Sequence, residues 1–187
     1  WQQRRKNSRI AQPSVAVAMS SELIEFQKPD RFVIGTVGVP GEREFYLQVK
    51  KGELFRSFGL EKSQASALAD RAGELLKEVG ERFERVSDDA APLESPIEPE
   101  FSLGMMSLTW QSDARLIMFE GQELQVEDES APLSMLRVHL SLEMMSAFVS
   151  RTRSVVAAGR QPCIFCGGPL DISGHLCPRA NGYRRQP

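Results

Sequence analysis

At 187 residues the chain has room for one domain of ordinary size with appendages, or for two small ones. Its 41% hydrophobic and 26% charged residues suit a protein with a real core, and no run of about 18 apolar residues is present to cross a membrane. The net charge of −2 hides an asymmetry. Residues 20–150 carry 24 of the 25 acidic residues against 13 of the 23 basic ones, a net of −11, whereas residues 151–187 hold six arginines against Asp171 alone, a net of +5. Such a basic end can meet nucleic acid, or it can dock on the acidic body of its own chain.

Residues 1–21 are polar and basic, without periodicity, and are expected to be a disordered extension. Val15-Ala16-Val17-Ala18-Met19 is too short and weak for the apolar part of a signal peptide. Met19 is the expected natural start, and removing residues 1–18 is expected to change the melting temperature little. From Leu23 the pattern turns to β. Arg31–Gly38 predicts a strand, Val39-Pro40-Gly41-Glu42 a turn, Glu44–Val49 a second strand, and Leu54–Phe58 a third after a turn at Lys50–Glu53. Ala65, Leu68, Ala69, Ala72, Leu75, Leu76, Val79 and Phe83 recur at helical spacing and predict a helix over 61–85.

Residues 87–100 read as an acidic, proline-rich linker. Strands are then predicted at Phe101–Trp110, Arg115–Glu120 and Ser134–Leu140, and a helix over Leu142–Ala158, capped by Ser141 and ended by Gly159. The second half repeats the order of the first. At an offset of 69, Phe32 meets Phe101, Gly35 meets Gly104, Leu47 meets Leu116 and Gly52 meets Gly121. Gln122–Pro132 then reads as an insertion, and at an offset of 82 Leu60 meets Leu142 and Glu61 meets Glu143. The expected fold is α+β: two βββα repeats, 22–86 and 101–159, sharing a core or extending one sheet. Leu68, Leu75, Val79, Phe148 and Val155 are the expected buried helix residues.

A zinc-ribbon-like tail is expected over 160–187. All three cysteines fall within 15 residues, beside one of the two histidines: Cys163-Ile-Phe-Cys166, eight residues, then His175-Leu-Cys177. A Cys-x-x-Cys turn lets two thiolates reach one ion, and Gly167 and Gly168 suit a tight knuckle whose amides point at the sulfurs. Cys163, Cys166, His175 and Cys177 form a closed donor set that selects Zn2+ in a reducing, cytoplasmic setting. The His-x-Cys spacing departs from a second Cys-x-x-Cys. A redox dithiol at Cys163 and Cys166 is the alternative, without the βαβ context that such a site needs. Arg179, Tyr183, Arg184 and Arg185 are the candidate partner-binding residues. Tyr183 can stack on a base while the arginines meet phosphates, or pack on the module while they sit in water.

No catalytic motif appears. His139 alternates with Leu136, Val138 and Leu140 and reads as a surface strand residue. Asp88, Asp89 and Glu127-Asp128-Glu129 read as solvated linker acids. Glu61 and Glu143, at equivalent helix starts, read as first-turn acids suited to the helix dipole, though they can also meet across a pseudo-twofold axis. The leading expectation is a non-enzymatic adaptor contacting a protein or nucleic acid through its basic tail. The alternative is an enzyme or enzyme subunit with a polar site between the repeats.

The blocks KPDRFVIGTVGVPGEREFYLQ, PLESPIEPEFSLGMMSLTW and VVAAGRQPCIFCGGPLDISGHLCPRANGYRR resemble a bacterial family of unknown function, domain family 3090, over about residues 22–185. The resemblance implies no activity. It implies a genomic setting beside a phosphatase-like and a kinase-like protein, and hence a partner role. The stretch before Met19 departs from the family pattern.

Overall fold

A computed structural model describes residues 21–84, 89–125, 132–159, 163–168, 170, 175 and 177–179. Residues 1–20 of the expected extension, the acids Asp88 and Glu127–Glu129, and Tyr183, Arg184 and Arg185 lie outside the described residues.

The elements run β1 (Leu23–Gln27), β2 (Arg31–Val37), β3 (Glu44–Lys51), β4 (Leu54–Leu60), α1 (Lys62–Val79), β5 (Pro99–Gln111), β6 (Leu116–Glu123), β7 (Met135–Leu140) and α2 (Leu142–Ala157). The fold is α+β, with a mixed seven-stranded sheet in the order β1-β7-β6-β5-β4-β3-β2. Neighbours within β2-β3-β4 and within β5-β6-β7 are antiparallel, whereas β4–β5 and β1–β7 are parallel.

Strand β5 serves two neighbours. Its first residues pair with β4 (Ser57 with Pro99, Gly59 with Ser102) and the rest pair with β6, from Leu103–Glu123 to Gln111–Leu116. Strands β1 and β2 divide the same two roles, β1 pairing with β7 and β2 with β3. The chain turns between them at Lys28-Pro29-Asp30, where Lys28 takes a left-handed φ of 47°. Backbone bonds continue up to this corner, from Lys28 N–H to the His139 carbonyl and from Asp30 N–H to that of Lys50. Two strands at opposite ends of the sheet order are thus joined by three residues, which requires the sheet to curl. The rings of Phe32 on β2 and Phe119 on β6 accordingly lie 5.5 Å apart.

The helices complete the core. Each is fastened to the first strand of the other half: Gln64 of α1 donates to the carbonyls of Leu103 and Gly104, and Arg151 of α2 donates to that of Ile34. One cluster of buried residues draws on both halves, including Phe32, Leu47 and Phe58 with Phe119, Val138 and Phe148. Leu68, Leu75 and Phe148 are buried as expected, while Val79 and Val155 are half-buried against the same core.

Several expectations need correction. Helix α1 stops at Val79, because Gly80 takes the left-handed conformation (φ 64°) and closes the helix. Phe83 still packs on the core without being helical. Glu61 is the N-cap of α1, in a reciprocal capping box with Gln64, while Ser141 caps α2 by accepting from Met144 N–H at 3.2 Å. These two caps are 80 residues apart, not 82. Gly52 lies in the β3–β4 turn (φ 59°), whereas Gly121 lies inside β6 opposite Leu136. Both halves have the same strand order, but equivalent ladder positions do not follow the constant offsets. His139 is no surface residue: β1, laid beside β7, covers it to 9% exposure. Its Nε2 lies 3.0 Å from Glu25 Oε1 and its Nδ1 3.0 Å from Gln111 Oε1.

Candidate metal centre

The sequence Cys163-Ile-Phe-Cys166-Gly-Gly folds into a knuckle by local bonds alone. Gly167 N–H donates to the Cys163 carbonyl at 2.8 Å, and Cys163 N–H to the Gly168 carbonyl at 2.7 Å. Gly167 makes the turn with a φ of 73°, where a side chain would be strained. Two amides then face the sulfurs, Phe165 N–H toward Cys163 Sγ and Gly168 N–H toward Cys166 Sγ, each at 3.4 Å. Backbone amides, those of Cys166 first and Phe165 second, hold the Cys163 thiol below its usual range. That favours the Cys163 thiolate, the form that binds metal, whereas the Cys166 thiol is held above its usual range, the Gly168 amide that draws it down being outweighed by burial and the sulfurs of Cys177 and Cys163.

His175 and Cys177 return to the knuckle, and the four donor atoms all lie within 4.8 Å of one another. Cys163 Sγ and Cys177 Sγ are 3.8 Å apart. A disulfide needs about 2.05 Å, and all three cysteines are free. A tetrahedral site with metal–sulfur bonds of about 2.3 Å has an S–S edge of about 3.8 Å. Cys166 Sγ lies 3.1 Å from His175 Nε2, somewhat inside the S–N edge of about 3.5 Å for the same geometry. Three thiols and an imidazole are a soft, closed donor set. Cys163, Cys166, His175 and Cys177 can therefore hold a metal ion. The imidazole Nδ1 is buried and finds no partner among the described residues.

Of the candidate partner-binding residues, Arg179 alone lies among the described residues. It is exposed and donates from Nη1 to the Phe165 carbonyl at 3.2 Å. Ile164 and Phe165, which the sequence analysis did not single out, project from the knuckle 89% and 58% exposed. The signal was available: both inner positions of the Cys-x-x-Cys turn are apolar where a solvated turn calls for polar residues.

A second polar cluster lies between β2 and α2, in a cleft of about 210 Å³ whose lining includes Arg31, Asp89, Glu143, Phe148 and Arg151. Asp89 is not a solvated linker acid. Arg31 and Arg151 both pair with its carboxylate, and Arg151 also takes its carbonyl. Glu143 stands in the first turn of α2, as the helix dipole favours. Arg31, Asp89 and Arg151 thus spend their hydrogen bonds on one another and on backbone, pinning the 89–94 segment to the sheet. Leu93 packs over Gly35, and Glu94 N–H bonds to Gln48 Oε1. Among the described residues no helix is long and apolar enough to cross a membrane.

Residues 24–177 match the family described as "Protein of unknown function (DUF3090)". The chain belongs to that family. No curated protein and no solved structure matches it. The match takes in both halves of the sheet and all four residues of the Cys/His cluster.

Proposed function

We propose that this protein is a non-enzymatic zinc-containing adaptor of the bacterial cytoplasm, whose C-terminal module contacts a protein or nucleic-acid partner. One observation carries the reading: four donors of a closed Cys3His set converge on one point, while the turn they anchor exposes Ile164 and Phe165. Four protein ligands fill a tetrahedral zinc site and leave no position for a substrate, so the ion serves structure. A module of about 30 residues cannot bury enough apolar surface to fold alone. Zinc supplies about 10–16 kcal/mol of apparent binding free energy in small finger peptides, ample to order this one. Three free thiols suit a reducing compartment. The repeated strand order is read as the product of duplication, which supplies one curled scaffold for the module.

The deciding experiment is a pull-down from native lysate with and without nuclease, using the full chain before and after chelation. The adaptor reading expects a specific partner lost on chelation. A partner retained by the metal-free chain would contradict it. A second reading, an enzyme or enzyme subunit, is kept by the polar cleft between β2 and α2. Turnover abolished by a Glu143 substitution with zinc retained would favour it.

A further inference from the structure

We infer that the tip of the Cys163–Cys166 turn is a stacking platform for an unpaired base of single-stranded nucleic acid. The inference rests on the zinc-ordered module proposed above and names its partner. The backbone of Phe165 is held at both ends, its N–H against Cys163 Sγ and its carbonyl by Arg179 Nη1. Its side chain nevertheless stands 58% exposed, next to an Ile164 that is 89% exposed. A rigid backbone that presents an aromatic ring and an aliphatic neighbour to solvent is suited to covering a flat apolar face, and every base has one.

Charge selects a nucleic acid over an apolar protein pocket. A protein pocket for Ile164 and Phe165 would need no surrounding charge. Here Arg179 lies against the Phe165 carbonyl and spends one of its five N–H donors there. The others can meet a phosphate next to the stacked base. Residues 160–187 set four arginines against Asp171 alone, while the net −11 of residues 20–150 repels a polyanion and confines contact to the module. A duplex buries the faces of its bases, so stacking on the tip calls for a single strand.

The test uses the full zinc-loaded chain, with zinc content measured for every variant, and a labelled oligouridylate of about 12 nucleotides beside a duplex of equal length. Fluorescence anisotropy is expected to show saturable binding, tighter for the single strand and weakened by salt. Phe165→Ala is expected to weaken it about tenfold and Phe165→Trp to retain it, both with zinc unchanged. Arg179→Ala is expected to lower the slope of log affinity against log salt by about one. A zinc-loaded chain that ignores the single strand, prefers the duplex, or binds equally well as Phe165→Ala overturns the inference. So does a protein captured from nuclease-treated lysate that Phe165→Ala loses while oligonucleotide binding persists, which would make the tip a protein-docking surface. A chain without zinc overturns the zinc reading and this inference together, and does so before any oligonucleotide is added.

Discussion

Arg151 Nε donates to the Ile34 carbonyl at 3.0 Å, so the helix of one half closes the open edge of the first strand of the other. Strand β2 ends the sheet order, with β3 as its one strand partner among the described residues. A bare edge of this kind invites pairing with another chain. Arg151 is 9% exposed and also holds Asp89, so its loss leaves a buried carbonyl and a carboxylate short of a partner. Arg151→Met is expected to lower stability by about 2 kcal/mol, read as the midpoint of urea unfolding. An unchanged midpoint would mean that the edge is closed by apolar packing of α2 alone.

The Asp89 carboxyl is held below the usual carboxylate range, chiefly by its bond to Arg31, then by the Ala91 amide and the charges of Arg31 and Arg151, against the opposing cost of burial. A depressed folded pKa contributes stability that is fully present above the unfolded value of about 3.9 and drains away as pH falls through the folded value. Acid unfolding of the wild type should therefore steepen below about pH 4. Asp89→Asn should be less stable at neutral pH and lose less between neutral pH and that acid range. Glu94, held low by Lys50, acts in the same direction from a more exposed position. Parallel curves for wild type and Asp89→Asn would contradict the assignment.

Gly35 tests the segment that follows Asp89. A Cβ placed there would meet Leu93 Cγ at 2.6 Å, so Gly35→Ala must lift Leu93 from the sheet. The expected cost is about 1–3 kcal/mol, as for overpacking. Hydrogen exchange should show the loss first at Glu94 N–H, whose bond to Gln48 depends on this packing. Protection at Glu94 equal to that of the wild type would show that Leu93 has room to move.

The elements formed by local pattern were legible in the sequence. Apolar, β-branched runs bounded by turn residues marked six of the seven strands, the Ala65–Leu75 stripe marked α1, and Ser141 marked the start of α2. The knuckle was legible for the same reason, since its turn, its glycines and two of its sulfurs lie within six residues. What escaped depends on distant partners. Strand β1 contributes one fully buried core residue, Phe26, and gains its place by parallel pairing with β7, more than a hundred residues away. His139 looked exposed until β1 covered it. Asp89 sits among alanines, proline and another acid, and nothing local announces Arg31 or Arg151. The half-to-half register is not legible from the matching glycines, because Gly52 serves a turn and Gly121 a strand.

The metal centre should be separable from the curled sheet. The buried cluster that joins the two halves contains none of the four candidate ligands Cys163, Cys166, His175 and Cys177. Cys166→Ser is expected to release the metal and abolish the order of the module while the main unfolding transition moves little. A collapse of that transition would show that the sheet depends on the module.

The measurement that tests the account most directly is metal analysis of the full chain, purified under reducing conditions without chelator. One ion is expected per chain from the four converging donors: a zinc-to-protein ratio of about one, with the three thiols unreactive until a chelator is added. A ratio near zero, with three freely titrating thiols and a module that stays ordered, would contradict the central claim. A stoichiometric metal other than zinc would keep the site and refute its assigned ion.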